Sequence, residues 1–137
     1  MRTKEGSTMK EHLTILLVDD DQDFIEQMRY MLETAGHKVR SAPGREKAME
    51  ALNEMKPDIA VIDLMMDRND DGFVLAYRIK KMYPGVPVIM VTAVTSETGI
   101  DFGSSSDTGG WMRADALLQK PVRFEQLDAT MRRLLNG

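Results

Sequence analysis

Residues Leu13 to Val18 read LTILLV and stop abruptly at Asp19-Asp20-Asp21. An unbroken run of apolar and β-branched residues, with no polar residue alternating in it, describes a strand buried on both faces. A sheet with such a strand needs helices above and below it, which confines the chain to layered α/β architectures. The rest of the chain must then supply helices to cover this strand and further strands of the same kind to pair with it.

Both are present. Phe24, Ile25, Met28, Met31, Leu32 and Ala35 recur at intervals of three and four and stop at Gly36, which predicts an amphipathic helix with a glycine beyond its end. A strand follows over Lys38 to Ala42, then a helix from about Gly44 with Ala48, Leu52 and Met55 on its apolar face, closed by Pro57. Ile59 to Ile62 (IAVI) is another buried strand and also ends in an acid, Asp63. Leu75, Ala76, Ile79 and Met82 mark a third helix, ended by Pro84-Gly85, and Val86 to Val91 (VPVIMV) a fourth strand that ends at Thr92. Ala116 to Leu118 is a short fifth strand ending near Lys120-Pro121, and Phe124, Leu127, Met131 and Leu134 give a last helix. Strands alternating with helices through short connections predict right-handed βαβ units and a parallel sheet covered on both faces.

Two stretches stand outside this pattern. Residues 1–11, MRTKEGSTMKE, are polar and without hydrophobic period, and are expected to form a flexible lead-in of tag-like composition, with Met9 a candidate native start. Ser96 to Gly110 (SETGIDFGSSSDTGG) has turn-forming composition, so the helix expected between the fourth and fifth strands is short, displaced or partly disordered. No internal repeat and no linker to a second domain interrupts residues 12–137, which are expected to form one domain, the usual outcome for a chain of 137 residues.

Composition narrows the function classes. The chain is 42% hydrophobic and 29% charged, which suits a globular domain rather than a disordered or fibrous one. With no cysteine there are no disulfides, thiolate metal sites or cysteine nucleophiles, and a reducing, cytoplasmic setting is expected. No apolar run approaches the ~20 residues that span a bilayer, so no membrane partner is expected. A net charge of -4 argues against a phosphate-backbone footprint, and no nucleic acid is expected to bind this domain.

In an open parallel α/β sheet, ligands collect at the carboxyl ends of the strands, where loops and helix N-termini converge. Those ends deliver Asp19 and Asp20, Asp63, Thr92 and Lys120. Singly, each has an ordinary structural role: Asp20 or Asp21 as a helix N-cap, Thr92 as a β-branched strand residue, Lys120 as a solvated charge. Together they make three carboxylates, a hydroxyl and an ammonium on one edge. Carboxylates ~4 Å apart repel by roughly 4 kcal/mol per pair at an effective dielectric near 20, so the cluster needs raised pKa values or a bound cation. Magnesium fits, because it takes a few carboxylates plus waters and binds where a phosphate oxygen completes its shell. Lys120 and Thr92 would then address the remaining phosphoryl oxygens.

The segments ILLVDDDQDF, PDIAVIDLMM, DGFVLAYRIK, VPVIMVTA and LLQKPV, in that order, resemble the successive motifs of the receiver domain of two-component response regulators, over about Leu13 to Leu135. The resemblance implies a flavodoxin-like, doubly wound sheet of five parallel strands in the order 2-1-3-4-5. It implies that Asp63 accepts a phosphoryl group from a sensor histidine kinase or phosphotransfer protein. Asp19, Asp20, Asp63 and the backbone carbonyl of Met65 would hold Mg2+, Thr92 would move to the phosphoryl oxygen, and Lys120 would pair with it. Ala93 matches the small residue that leaves the site open, and Lys120-Pro121 the Lys-Pro step that is often cis. The signal would leave through a protein surface to a downstream effector, from a monomer or weak homodimer.

The sequence departs from the family pattern at several places. Leu117 stands where an aromatic residue commonly moves inward on activation. The loop Met66-Asp67-Arg68-Asn69-Asp70-Asp71-Gly72 is one residue longer than usual and lacks its proline, and the segment between Thr92 and Lys120 is longer by several residues. Apolar Met65 and Val94 occupy positions that help set water access to the aspartyl phosphate, and slow self-dephosphorylation is expected.

Two rival functions are separable. Asp19-x-Asp21, Thr92 and Lys120 also resemble a haloacid-dehalogenase-like phosphatase with Asp19 as nucleophile, but that pattern needs a further acidic pair on a later strand and leaves Asp63 unused. A receiver-like interaction module that takes no phosphate would not need the acid, threonine and lysine set. The Asp67-x-Asn69-x-Asp71-Gly72 stretch matches the opening of a calcium loop but has Arg78 at the twelfth position, where a bidentate Glu is required. His12 and His37 have no spaced metal or catalytic partner, Trp111 is expected to anchor the irregular segment, and the twelve methionines are expected to fill the core.

Overall fold

The computed structural model describes residues 12–64, 71–93 and 114–136. They form β1 (Thr14–Val18), α1 (Gln22–Thr34), β2 (Lys38–Ala42), α2 (Arg45–Glu54), β3 (Ile59–Asp63), α3 (Asp71–Met82), β4 (Val88–Thr92), β5 (Ala116–Gln119) and α4 (Phe124–Asn136). The five strands are parallel in the order β2-β1-β3-β4-β5. This is the flavodoxin-like, doubly wound α/β arrangement read from the sequence.

Alternation along each strand divides the core in two. Leu16, Val18, Ala60, Ile62, Val88 and Met90 face α2 and α3, whose Ala48, Ala51, Leu52, Leu75, Ala76 and Ile79 are buried against them. Ile15, Leu17, Ile59, Val61, Ile89 and Val91 face the other way, onto Ile25, Met28 and Leu32 of α1 and Leu127 and Met131 of α4. Strands β3 and β4 are buried at every position, which is why their sequences show no polar alternation.

Boundaries differ from the sequence reading where backbone hydrogen bonding decides them. β4 begins at Val88 rather than Val86, because Pro87 has no N–H to give and the Val86 N–H donates to the Tyr83 carbonyl in a turn. Leu13 lies just before β1, its N–H donating to His37 Nδ1 at 3.0 Å. α1 is capped by Asp21, whose carboxylate accepts from the N–H groups of Asp23 and Phe24, and it ends before Gly36, held at φ 102° where a Cβ would be strained. Phe24, Met31, Phe124 and Leu134 of the apolar helix faces are partly buried against the core, and three more residues assigned to those faces lie at or beyond helix ends. Ala35 has left α1, Met55 has turned into extended backbone after α2, and Met82 is 37% exposed at the last turn of α3. Ala51, not counted on the α2 face, is fully buried. Among the described methionines Met28, Met90 and Met131 are buried and Met31 and Met49 pack against the core from its margin, so of these only Met55 and Met82 depart from the core-filling role.

The chain passes from β1 outward to β2 and then crosses to β3 on the other side of β1. The direction of winding therefore reverses between β1 and β3, and a crevice opens at their carboxyl ends. Asp19 follows the last residue of β1, and Asp63 is the last residue of β3. Among the described residues, no helix is long and apolar enough to cross a membrane.

Candidate functional site

Backbone pairing carries the site residues to one level. The Asp19 N–H donates to the Ala42 carbonyl at 3.1 Å, the Leu64 N–H to Val91 at 2.7 Å, and the Lys120 N–H to Thr92 at 2.8 Å. Each bond extends a strand pair by one step, so the ends of β1, β3, β4 and β5 lie side by side. Asp19, Asp63 and Thr92 are buried, and Asp20 is exposed at the rim. Carboxylate oxygens of Asp19, Asp20 and Asp63 all lie within 4.8 Å of one another. Lys120 Nζ stands 2.9 Å from Asp19 Oδ2. The residues expected at the carboxyl edge are thus together, and the Lys120-Pro121 peptide that ends β5 is cis.

The two oxygens of Asp19 are used differently. Oδ1 accepts the Asp21 N–H at 2.9 Å, which folds the triple aspartate into a turn. Oδ2 is buried and faces the Lys120 ammonium at 2.9 Å as an ion pair, with no other donor satisfying it among the described residues. A buried carboxylate oxygen held by one ammonium and converging with two other carboxylates fits a hard divalent cation that takes oxygen ligands. Asp21 does not join the cluster: it is exposed, and its Oδ1 caps α1 by accepting from Asp23 N at 3.0 Å and Phe24 N at 3.3 Å. A phosphatase centred on Asp19-x-Asp21 loses its second acid to that cap.

Burial by itself would push the Lys120 pKa down, but contact with the Asp19 carboxylate, and the charges of Asp63 and Asp21 beyond it, outweigh this and hold the ammonium above its ordinary value. The lysine is firmly cationic, as a phosphate-pairing group must be.

Several features escaped sequence reasoning. The Phe24 ring lies under the Lys120 ammonium, with Nζ 4.6 Å from its centroid. Its α-helical spacing marked it only as an apolar-face residue, and nothing local linked it to Lys120. Gly72, in the first turn of α3, leaves no room for a side chain: a Cβ would meet Leu64 O at 2.6 Å, Asp63 O at 2.7 Å and Leu64 Cα at 2.8 Å. The first turn of α3 therefore packs directly on the backbone that carries Asp63. Leu117, at the position of the family's mobile aromatic, is partly buried against the α2/α3 side of the core, opposite Met90.

Met65, with the carbonyl expected to face a metal, lies outside the described residues, as do 66–70, Val94, Trp111 and most of the irregular stretch between β4 and β5. His37 is buried at the opposite end of the sheet, where its Nδ1 accepts the Leu13 N–H, and His12 Nδ1 lies 2.7 Å from the Gly36 carbonyl.

Comparison with known proteins gives a consistent result. The family described as the response regulator receiver domain matches residues 15–132. The chain is 31% identical over 122 residues to the transcriptional regulatory protein AfsQ1 of Streptomyces coelicolor, covering 89% of this chain and 51% of that protein. It is 33% identical over 125 residues to the response regulator MprA of Mycolicibacterium vanbaalenii, covering 88% of this chain and 49% of the relative. It thus spans about half the length of these curated relatives. Among solved structures it is similar to the response regulator TrrA of Thermotoga maritima, crystallised in complex with Mg(2+)-BeF, with a TM-score of 0.72, 25% identity, and coverage of 89% of this chain and 98% of that one.

Proposed function

This chain belongs to the response regulator receiver domain family, part of two-component signalling systems, and from that premise we propose that it takes a phosphoryl group onto Asp63 from a phosphohistidine of a sensor kinase or phosphotransfer protein. Residues 12–137 would act as one receiver unit behind a lead-in over 1–11. The observation that carries the reading is the convergence of the Asp19, Asp20 and Asp63 carboxylates with the Lys120 ammonium at the winding reversal of the sheet.

In the proposed reaction an Asp63 oxygen attacks phosphorus in line with the phosphohistidine nitrogen. The new O–P bond forms as the P–N bond breaks, and the departing imidazole keeps the bonding pair and a proton. Asp63 suits this role because it is buried at the end of a central strand, beside two further carboxylates and with the core layers beneath it. Asp19, Asp20 and Asp63, with the carbonyl of Met65, would hold Mg2+, which supplies positive charge against the phosphoryl oxygens. Lys120 would move its ammonium from Asp19 Oδ2 to a phosphoryl oxygen, and the Thr92 hydroxyl would donate to another. Thr92 and Lys120 are joined through the Lys120 N–H to Thr92 carbonyl bond, so movement of one is felt by the strand of the other.

A doubly charged group added at this edge biases a two-state surface that a separate effector reads. This part of the reading rests on family membership, as does slow self-dephosphorylation with apolar Met65 and Val94 at the site. The decisive experiment is intact mass after incubation with acetyl phosphate, with and without magnesium, on the parent and on Asp63→Asn. One magnesium-dependent phosphoryl adduct, absent from the variant, is the expected result. Phosphate release that survives the substitution would mean a phosphatase, and no adduct from either acetyl phosphate or a phosphorylated kinase would leave an interaction module.

A further inference from the structure

Among the described residues Lys120 has an acid and an aromatic ring as close partners. Its Nζ is 2.9 Å from Asp19 Oδ2 and 4.6 Å from the centroid of the Phe24 ring. The four residues that produce this arrangement form a closed circuit. Asp19 Oδ1 accepts the Asp21 N–H, Asp21 Oδ1 accepts the Phe24 N–H, the Phe24 ring carries the ammonium, and the ammonium returns to Asp19 Oδ2. Asp21 fixes the first turn of α1, and helical side chains lean toward the helix N-terminus, so a residue in that turn leans over the cap toward the strand ends.

The geometry points to Phe24 as a positioning residue for Lys120, one whose ring holds the ammonium at the site independently of Asp19. The inference deepens the phosphoacceptor reading and rests on it. Asp19 belongs to the carboxylate cluster that a divalent cation would claim, and a carboxylate so engaged has less charge to offer the lysine. A ring face stays attractive to the ammonium whatever the state of Asp19, because its quadrupole does not titrate and takes no metal. Phe24 thereby keeps Lys120 beside the crevice, within reach of an incoming phosphoryl oxygen, when its salt bridge weakens. Without the ring the long side chain of Lys120 would spread over more rotamers and the reactive arrangement would be less populated.

The test compares Phe24→Leu, which keeps apolar bulk and removes the π face, with Phe24→Tyr, which keeps the face. Two readouts are taken on the full chain. The first is NMR of the metal-free protein: a ring current from Phe24 moves the Lys120 ε-methylene protons upfield, a shift expected in the parent and the Tyr variant and absent from the Leu variant. The second is the rate of phosphorylation by acetyl phosphate at saturating magnesium, expected to fall about threefold to tenfold in Phe24→Leu, the scale of a cation–π contact, and to stay near the parent rate in Phe24→Tyr. Against a Lys120→Gln background the Leu substitution is expected to cost nothing further, since its effect runs through the lysine. Equal rates in the parent and Phe24→Leu, or an equal loss in both Lys120 backgrounds, would overturn the inference and leave Phe24 as packing. A parent that shows the ring-current shift and yet takes no phosphoryl group from acetyl phosphate or a kinase would instead overturn the phosphoacceptor reading, and the positioning role with it.

Discussion

Asp19 and Lys120 form a 2.9 Å ion pair in which the carboxylate is 1% and the ammonium side chain 21% exposed. The pair gathers one cation among three acids, and the cation occupies the oxygen that a metal would need. Lys120→Met should therefore destabilise the metal-free protein by about 1–3 kcal/mol, because it leaves a buried carboxylate uncompensated, with the exposed lysine end moderating the loss. Magnesium should restore more stability to this variant than to the parent, since no ammonium competes for Asp19. Thermal melts with and without magnesium measure both effects, and an equal magnesium shift in the two proteins would contradict the competition.

Gly72 sets the distance between α3 and the backbone of Asp63. Its missing Cβ would lie 2.6 Å and 2.7 Å from two carbonyl oxygens, neither of which can swing aside as a side chain would. Gly72→Ala should cost about 1–3 kcal/mol and slow phosphorylation at Asp63, because relief of the overlap moves the phosphoacceptor strand end. Gly85→Ala, with nothing within 4 Å of its Cβ, should stay within about 0.5 kcal/mol of the parent and serves as the control in urea unfolding.

Stability should depend on pH through His37. Burial lowers its pKa below the ordinary 6.5, Asp128 opposing and His12 and Arg132 adding to the effect. Its Nδ1 accepts the Leu13 N–H, so the neutral form carries its proton on Nε2, and protonation of Nδ1 would set two donors face to face. The folded state then binds fewer protons than the unfolded one just below pH 6.5, and the sign of the linkage makes stability rise with pH there. The contribution is fully present above 6.5 and is lost as pH falls toward the lowered folded value. Unfolding between about pH 5 and pH 7.5 should show this slope in the parent and a flatter one in His37→Gln.

The start of β5 is held by one carboxylate. Asp115 Oδ2 accepts the Val88 N–H at 2.7 Å and pairs with Lys80 Nζ, also at 2.7 Å, while Lys80 donates to the Val86 carbonyl at 3.0 Å. Removing it leaves a β4 N–H without its acceptor and a half-buried lysine with the Val86 carbonyl but no countercharge, beside an edge strand. Asp115→Ala should cost about 1–3 kcal/mol and raise amide exchange first along β5, measured by hydrogen exchange.

Much of this was legible one segment at a time. Runs such as Ile59–Asp63 and Val88–Thr92 are apolar throughout because both faces are covered, and burial on both faces leaves that mark whatever the neighbours are. The carboxyl ends could be read from the same runs, so Asp19, Asp20, Asp63, Thr92 and Lys120 could be grouped before any distance was known. Where local signals compete, the reading was less complete. Asp20 and Asp21 are equal as caps in sequence, and the turn made by Asp19 Oδ1 selects Asp21. Met82 has the spacing of a core residue, but it is the last residue of α3 and is exposed, while the neighbouring Tyr83 packs against the core.

By itself the sequence determined the α/β class, the alternation of elements and the edge on which the acids, threonine and lysine collect, since each follows from hydrophobic period and from where a run ends. Only the tertiary structure decided which oxygen of Asp19 Lys120 approaches, that Phe24 lies beneath that ammonium, and that Gly72 rests on the Asp63 backbone. The contacts of Lys120 join segments about a hundred residues apart, and all three depend on the parallel register of β1, β3, β4 and β5 and the close packing of the helices upon it. A periodic pattern records which face of a segment is buried, whereas what that face meets depends on the register and packing of every layer at once.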